Sequence, residues 1–147
     1  MDHRKISKRR AAALARSGSL SSLAAIMRVL LAPGGCPWDR KQTHTTLLKY
    51  LREEAGEVAS AVRRRDWSNL KEELGDVLLQ VVFHSALAER DGRFRLSDVI
   101  RTVNAKMVRR HPHVFGGGER LATPAQVLSR WKKIKQAEKR RAAGRAR

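Results

Sequence analysis

The chain has 147 residues, 32 Lys and Arg against 14 Asp and Glu, and a formal net charge of +18, which fits one modest domain and excludes two large ones. A single cysteine, Cys36, excludes an internal disulfide and a cysteine-rich zinc site, and no run of about 18 apolar residues offers a membrane span. The basicity suggests a nucleic-acid binder until its distribution is examined. Residues 1–16 carry +5 and residues 130–147 carry +8, so the long segment 17–129 is only +5. Inside that segment, seven acids fall between Glu53 and Asp76, a reversal of sign that calls for a cause.

In chain order, residues 1–17 read as a solvated basic tail. Residues 1–31 are rich in Arg, Ser and Ala, as transit peptides are, but Arg28 interrupts the apolar stretch and argues against a secretory signal. A cytoplasmic location is expected. The first helix runs from about Ser21 to Ala32, on Leu23, Ile26, Met27, Leu30 and Leu31 at helical spacing. Pro33-Gly34-Gly35 stops it, and Cys36 to Asp39 form a loop. A second helix spans Thr43 or Thr45 to Arg64, and a third follows the short link Arg65–Ser68 and reaches Arg90. Ser97 is the expected N-cap of a fourth, Asp98 to Arg110, which Pro112 closes. Gly116-Gly117-Gly118 reads as a hinge, and Thr123-Pro124 opens a fifth helix. Residues 138–147 read as a second basic tail, leaving 18–137 as the helical domain.

The short links make successive helices antiparallel neighbours, so the expected fold is an all-α bundle of about five helices. The third helix is apolar almost all round, with Leu70, Leu74, Val77, Leu78, Val81, Val82 and Phe83. Too few helices exist to cover it, and dimerisation is expected to complete the bundle.

The acids of the second helix are informative in position. With Leu47 at zero and about 100° per residue, Leu51, Val58 and Val62 fall within about 60° and define the buried stripe. Glu54 falls at about −20°, in its middle, with Glu57 and Glu53 on one flank. On the third helix, Glu73 and Asp76 border the apolar stripe. Two antiparallel helices thus each present an acid pair at i, i+3, namely Glu54 with Glu57 and Glu73 with Asp76. Four carboxylates brought together repel unless a cation lies between them, and oxygen-only ligands suit a hard ion such as Mg2+ or Mn2+. Di-iron bundles use Glu-x-x-His pairs; no such pair occurs here.

The pattern Glu53-Glu54-x-x-Glu57 followed by Glu73-x-x-Asp76 resembles the signature of the MazG family of nucleoside triphosphate pyrophosphohydrolases. The resemblance extends from about Leu23 to Gln136. It includes Gly35-Cys36-Pro37-Trp38-Asp39, Leu78 to His84, Asp91-Gly92-Arg93-Phe94, Arg109 to Gly116, and Trp131 with Ile134-Lys135. It implies a dimeric all-α enzyme that uses Mg2+ to cleave a nucleoside triphosphate into monophosphate and pyrophosphate. Carried over by motif, Glu54, Glu57, Glu73 and Asp76 are the implied metal ligands, with Glu53 beside them to orient or deprotonate water. Lys106, Arg110, Trp131 and Lys135 match positions implicated in substrate binding. One departure is Asn69, where some members carry a lysine. Two rival readings are a helical nucleic-acid-binding module acting through its basic tails and a catalytically weak dimeric scaffold. Non-specific nucleic-acid contact by the tails is compatible with the enzyme.

Overall fold

The computed structural model describes residues 7–117 and 120–145; among them every regular element is a helix. Residues 1–6 and 146–147 of the two expected tails, and Gly118 of the expected hinge, lie outside the described residues. The chain divides into two compact units, the first ending at Leu96 and the second beginning at Ser97.

The first unit contains α1 (Lys8–Arg16), α2 (Leu20–Leu31), α3 (Pro37–Lys41), α4 (His44–Arg64) and α5 (Trp67–Arg90). Each long helix starts on a polar side chain that accepts from a backbone amide in its first turn. Ser19 accepts from Ser22 N ahead of α2, Thr43 forms a reciprocal capping box with Thr46 ahead of α4, and Asp66 accepts from Asn69 N ahead of α5. Arg65, in the left-handed region at φ 55°, and Asp66 make the whole link between α4 and α5. So short a reversal forces the helices side by side. Their pairing runs in descending register, His44 meeting His84 near one end and Glu54 meeting Glu73 and Asp76 further along. Helix α2 packs on α5, and α1 and α3 pack on α2.

The core occupies one half of this hairpin. Met27 of α2, Leu47 of α4 and Val82, Phe83 and Leu87 of α5 form the buried cluster, flanked by Leu23, Leu30, Leu31, Tyr50 and Leu79. Every fully buried residue of α5 lies between Gln80 and Ala88. Towards the Arg65 turn the apolar side chains emerge: Leu74 is 52% exposed, Leu78 42% and Val81 38%. These three, at i, i+4 and i+7, make an uncovered stripe along α5.

The second unit contains most of α6 (Leu96–Arg110), with α7 (Pro112–Phe115) and α8 (Pro124–Arg145). Several details differ from the sequence reading. Helix α6 begins at Leu96, so Ser97 lies within it rather than capping it. Pro112 not only follows the end of α6 but opens α7, where its missing N–H costs nothing. Pro37 does the same for α3 within the expected Cys36–Asp39 loop. Helix α1 fills most of the described part of the first expected tail, with Ser7 accepting from Arg10 N. Helix α8 continues through residue 138, where the second tail was expected to begin.

Two glycines should respond oppositely to alanine. A Cβ on Gly35 would run into the carbonyl oxygens of Val29 and Leu30, whereas one on Gly56, inside α4, meets nothing within 4 Å. Urea denaturation should show Gly35→Ala destabilised by about 1–3 kcal/mol through overpacking. Gly56→Ala should be stabilised by about 0.5–1 kcal/mol, because alanine restricts the unfolded chain and favours helix.

Candidate metal centre

The α4–α5 hairpin brings together Glu54, Glu73 and Asp76, each offering one carboxylate oxygen, with all three oxygens within 4.8 Å of one another. Glu73 and Asp76 share a face of α5 because they are three residues apart, and the register set by the short turn places Glu54 opposite them. All three are partly buried. Glu54 was expected within the buried stripe of its helix; it sits instead at the edge, because this part of the hairpin has no fully buried α5 residue beside it. Its carboxyl is held above the usual carboxylate range, first by desolvation and then by the charges of Asp76, Glu73, Glu53 and Glu57.

Glu53 and Glu57 lie outside the three-oxygen group and are exposed. Glu57 is displaced by about 60° around α4 from Glu54 and Glu53 by about 100°; both act on Glu54 through charge. The donor set fits a hard divalent ion, which takes carboxylate oxygens and relieves the mutual repulsion that raises Glu54.

The remaining sequence-selected residues belong to the second unit. Lys106 on α6 is partly exposed and Lys135 on α8 is exposed. The Arg110 side chain, 17% exposed, grips Glu138: Nη2 donates to Oε2 at 2.7 Å and Nε at 3.2 Å. Arg109 Nε donates to the other oxygen at 2.7 Å. The Arg110 guanidinium also lies 5.6 Å from the centre of the Trp131 ring, and His111 packs against the same ring at 5.8 Å. Arg110 and Trp131 are therefore joined in one cluster. Sequence reasoning missed Glu138; its one signal was that it is the single acid of residues 130–147.

Also missed was a histidine pair in the first unit. His44 Nδ1 and His84 Nδ1 lie 2.8 Å apart with the rings stacked, 14° between their planes. Burial, and then the neighbouring His44, push the His84 pKa down. Such a contact needs one ring nitrogen that carries no proton and accepts, so the pair links α4 to α5 through a single N–H···N bond.

Hydrogen bonds from Arg110 and then Arg109 lower the Glu138 pKa to about 2. Because the folded value is depressed, the stabilisation is present above the ordinary carboxylate pKa of about 4.5 and is lost as pH falls through about 2. Thermal melts of the chain and of Glu138→Gln should therefore differ by a constant amount above pH 5 and converge between pH 4.5 and 2. Added salt should narrow the gap at neutral pH.

Comparison with known proteins bears on these geometries. Residues 42–115 match the MazG nucleotide pyrophosphohydrolase domain. That match takes in all five acids, Lys106 and Arg110, but stops short of Trp131 and Lys135. The nucleoside triphosphate pyrophosphohydrolase/pyrophosphatase MazG of Thermotoga maritima is 50% identical over 117 residues, 80% of this chain and 44% of that protein. The nucleoside triphosphate pyrophosphohydrolase of Escherichia coli K12 is 42% identical over 121 residues, 82% of this chain and 46% of its own length. This chain thus spans less than half of either relative. The crystal structure of a mazG-related protein from Thermotoga maritima superposes with a TM-score of 0.66 at 33% identity, covering 80% of this chain and 99% of the other. On sequence and on fold, the chain belongs to the MazG nucleotide pyrophosphohydrolase domain family.

Proposed function

We propose that the chain hydrolyses nucleoside triphosphates to nucleoside monophosphate and pyrophosphate with the help of Mg2+, Mn2+ being an acceptable substitute. The carrying observation is the convergence of Glu54, Glu73 and Asp76 in a member of this family, and the activity in the names of its relatives supports it. Glu54, Glu73 and Asp76 would hold the metal, with Glu57 completing the set from the next turn of α4. The bound ion supplies Lewis-acid polarisation of the phosphate and charge neutralisation. Glu53, exposed next to Glu54 and outside the three-oxygen group, orients the attacking water and takes its proton. Attack at the α-phosphorus expels pyrophosphate. Lys106, Arg110 and Lys135 offset the charge that develops on the leaving group, and Trp131 provides an apolar wall. For Arg110 this involves exchanging one anionic partner for another, since a phosphate and the Glu138 carboxylate accept the same pair of donors.

The uncovered stripe of Leu74, Leu78 and Val81 is the face that a second copy of the chain covers in a homodimer. A cytoplasmic location is part of the same proposal; among the described residues no helix is long and apolar enough to cross a membrane. The basic ends add a non-specific, salt-sensitive affinity for nucleic acid.

Two measurements test the reading. With a nucleoside triphosphate and Mg2+, product analysis should give pyrophosphate and monophosphate; release of single phosphate with accumulating diphosphate would refute it. Glu54→Ala and Asp76→Ala should each lose at least about 100-fold in turnover, while circular dichroism of the metal-free variants shows intact helix. Separately, Leu78→Glu should shift the particle from dimer to monomer in analytical ultracentrifugation, and an unchanged mass would remove this face from the interface.

A further inference from the structure

We propose that Asn69 is a positioning residue that orients the Glu73 carboxylate and connects it to Arg64, an assignment that rests on the metal-centre reading above. Asn69 lies one turn before Glu73 on α5 and is partly buried. Its neighbours fix which end of the carboxamide is which. The oxygen accepts from Arg64 Nη2 at 3.2 Å, and the nitrogen donates to Glu73 Oε1 at 3.2 Å. The opposite orientation would set the oxygen against an acceptor and the nitrogen against a donor.

The backbone beneath this amide is held as well. Asn69 N donates to the Asp66 carboxylate at 3.0 Å, and Leu70 N donates to the Asp66 carbonyl at 2.8 Å. The side chain therefore projects from a capped first turn, where its position is set independently of the acids it meets. Arg64 is the last residue of α4, so the relay spans the turn from the end of one helix to the acid cluster on the other.

A carboxylate oxygen has more than one lone pair, and the Asn69 bond engages Oε1 of Glu73 and not Oε2. The Asn69 bond thus selects the rotamer without consuming the group's capacity to bind an ion. Contact with the Arg64 cation polarises the carboxamide and strengthens its N–H as a donor. The same cation partly offsets the repulsion that Glu73 feels from Glu54 and Asp76, and the Asn69 bond aims the carboxylate before any ion arrives. Partners of this kind commonly change metal affinity by about 10- to 100-fold when removed.

The test is a Mn2+ titration of the nucleotide-free full chain, following free Mn2+ by electron paramagnetic resonance, beside thermal melts without metal. Asn69→Leu should weaken Mn2+ binding by about 10-fold while the metal-free melting temperature stays close to that of the parent. Arg64→Gln, at an exposed helix end, should weaken binding in the same direction, and the double variant should bind no more weakly than Asn69→Leu alone. Unchanged Mn2+ affinity in Asn69→Leu and Arg64→Gln overturns the positioning role. Glu73→Gln separates the two levels of the argument: if it too leaves Mn2+ affinity unchanged, the metal-centre reading fails. If Glu73→Gln weakens binding while Asn69→Leu and Arg64→Gln do not, only the role of Asn69 falls.

Discussion

Like charges on adjacent helices push those helices apart, and the α4–α5 hairpin holds Glu54, Glu73 and Asp76 together despite this. Each pair of carboxylates at such distances repels by on the order of 1 kcal/mol in water-like surroundings, and by more where solvent is partly excluded. The opposing constraint is covalent and local. Two residues, Arg65 and Asp66, join α4 to α5, and the buried cluster of Met27, Leu47, Val82, Phe83 and Leu87 fixes the register at the far end. With both ends tied, the helices cannot slide or splay far enough to separate the acids. The Glu54 carboxyl, raised first by desolvation, is raised further by the charges held beside it.

The second unit handles charge the other way. There the basic residues are in excess, and one acid, Glu138, binds Arg109 and Arg110 together and steadies a cluster that includes Trp131 and His111. Acids crowd along the α4–α5 hairpin, where Arg64 lies against the Asn69–Glu73 pair, and in the second unit Glu138 lies between two arginines.

Helices α2, α4, α5, α6 and α8 were legible because apolar spacing and capping residues repeat with the helical period, and the structure places them within a residue or two of the expected limits except where α8 runs on. The short helices α3 and α7 were not, since five and four residues are too few for periodicity, and their prolines look like stops rather than starts. Helix α1 was hidden by its composition: arginines suggest solvation, although Ala12 and Leu14 are partly covered. Of the acids, angular position made Glu54, Glu57, Glu73 and Asp76 one converging set, whereas the structure groups Glu54, Glu73 and Asp76 without Glu57; it also overstated the burial of Glu54, because a helical wheel knows which face is apolar and not how far along it the neighbours extend. Contacts between residues distant in the chain left no local pattern at all. Arg110 and Glu138 are 28 residues apart, and His44 and His84 are 40.

The uneven placement of the core along the hairpin has a dynamic consequence. Backbone amides of Val82 to Ala88 sit within buried packing and can exchange with solvent only through large-scale unfolding, whereas those around Glu54 and Glu73 are flanked by exposed side chains and the open helical positions Gly56 and Gly75. Local opening should therefore require the least free energy near the acids and grow towards the histidine pair. Hydrogen exchange would then read the hairpin as a gradient, slow at one end and fast at the other. The carboxylates lie on the part that yields first, where small adjustments of side chain and backbone are least opposed by packing.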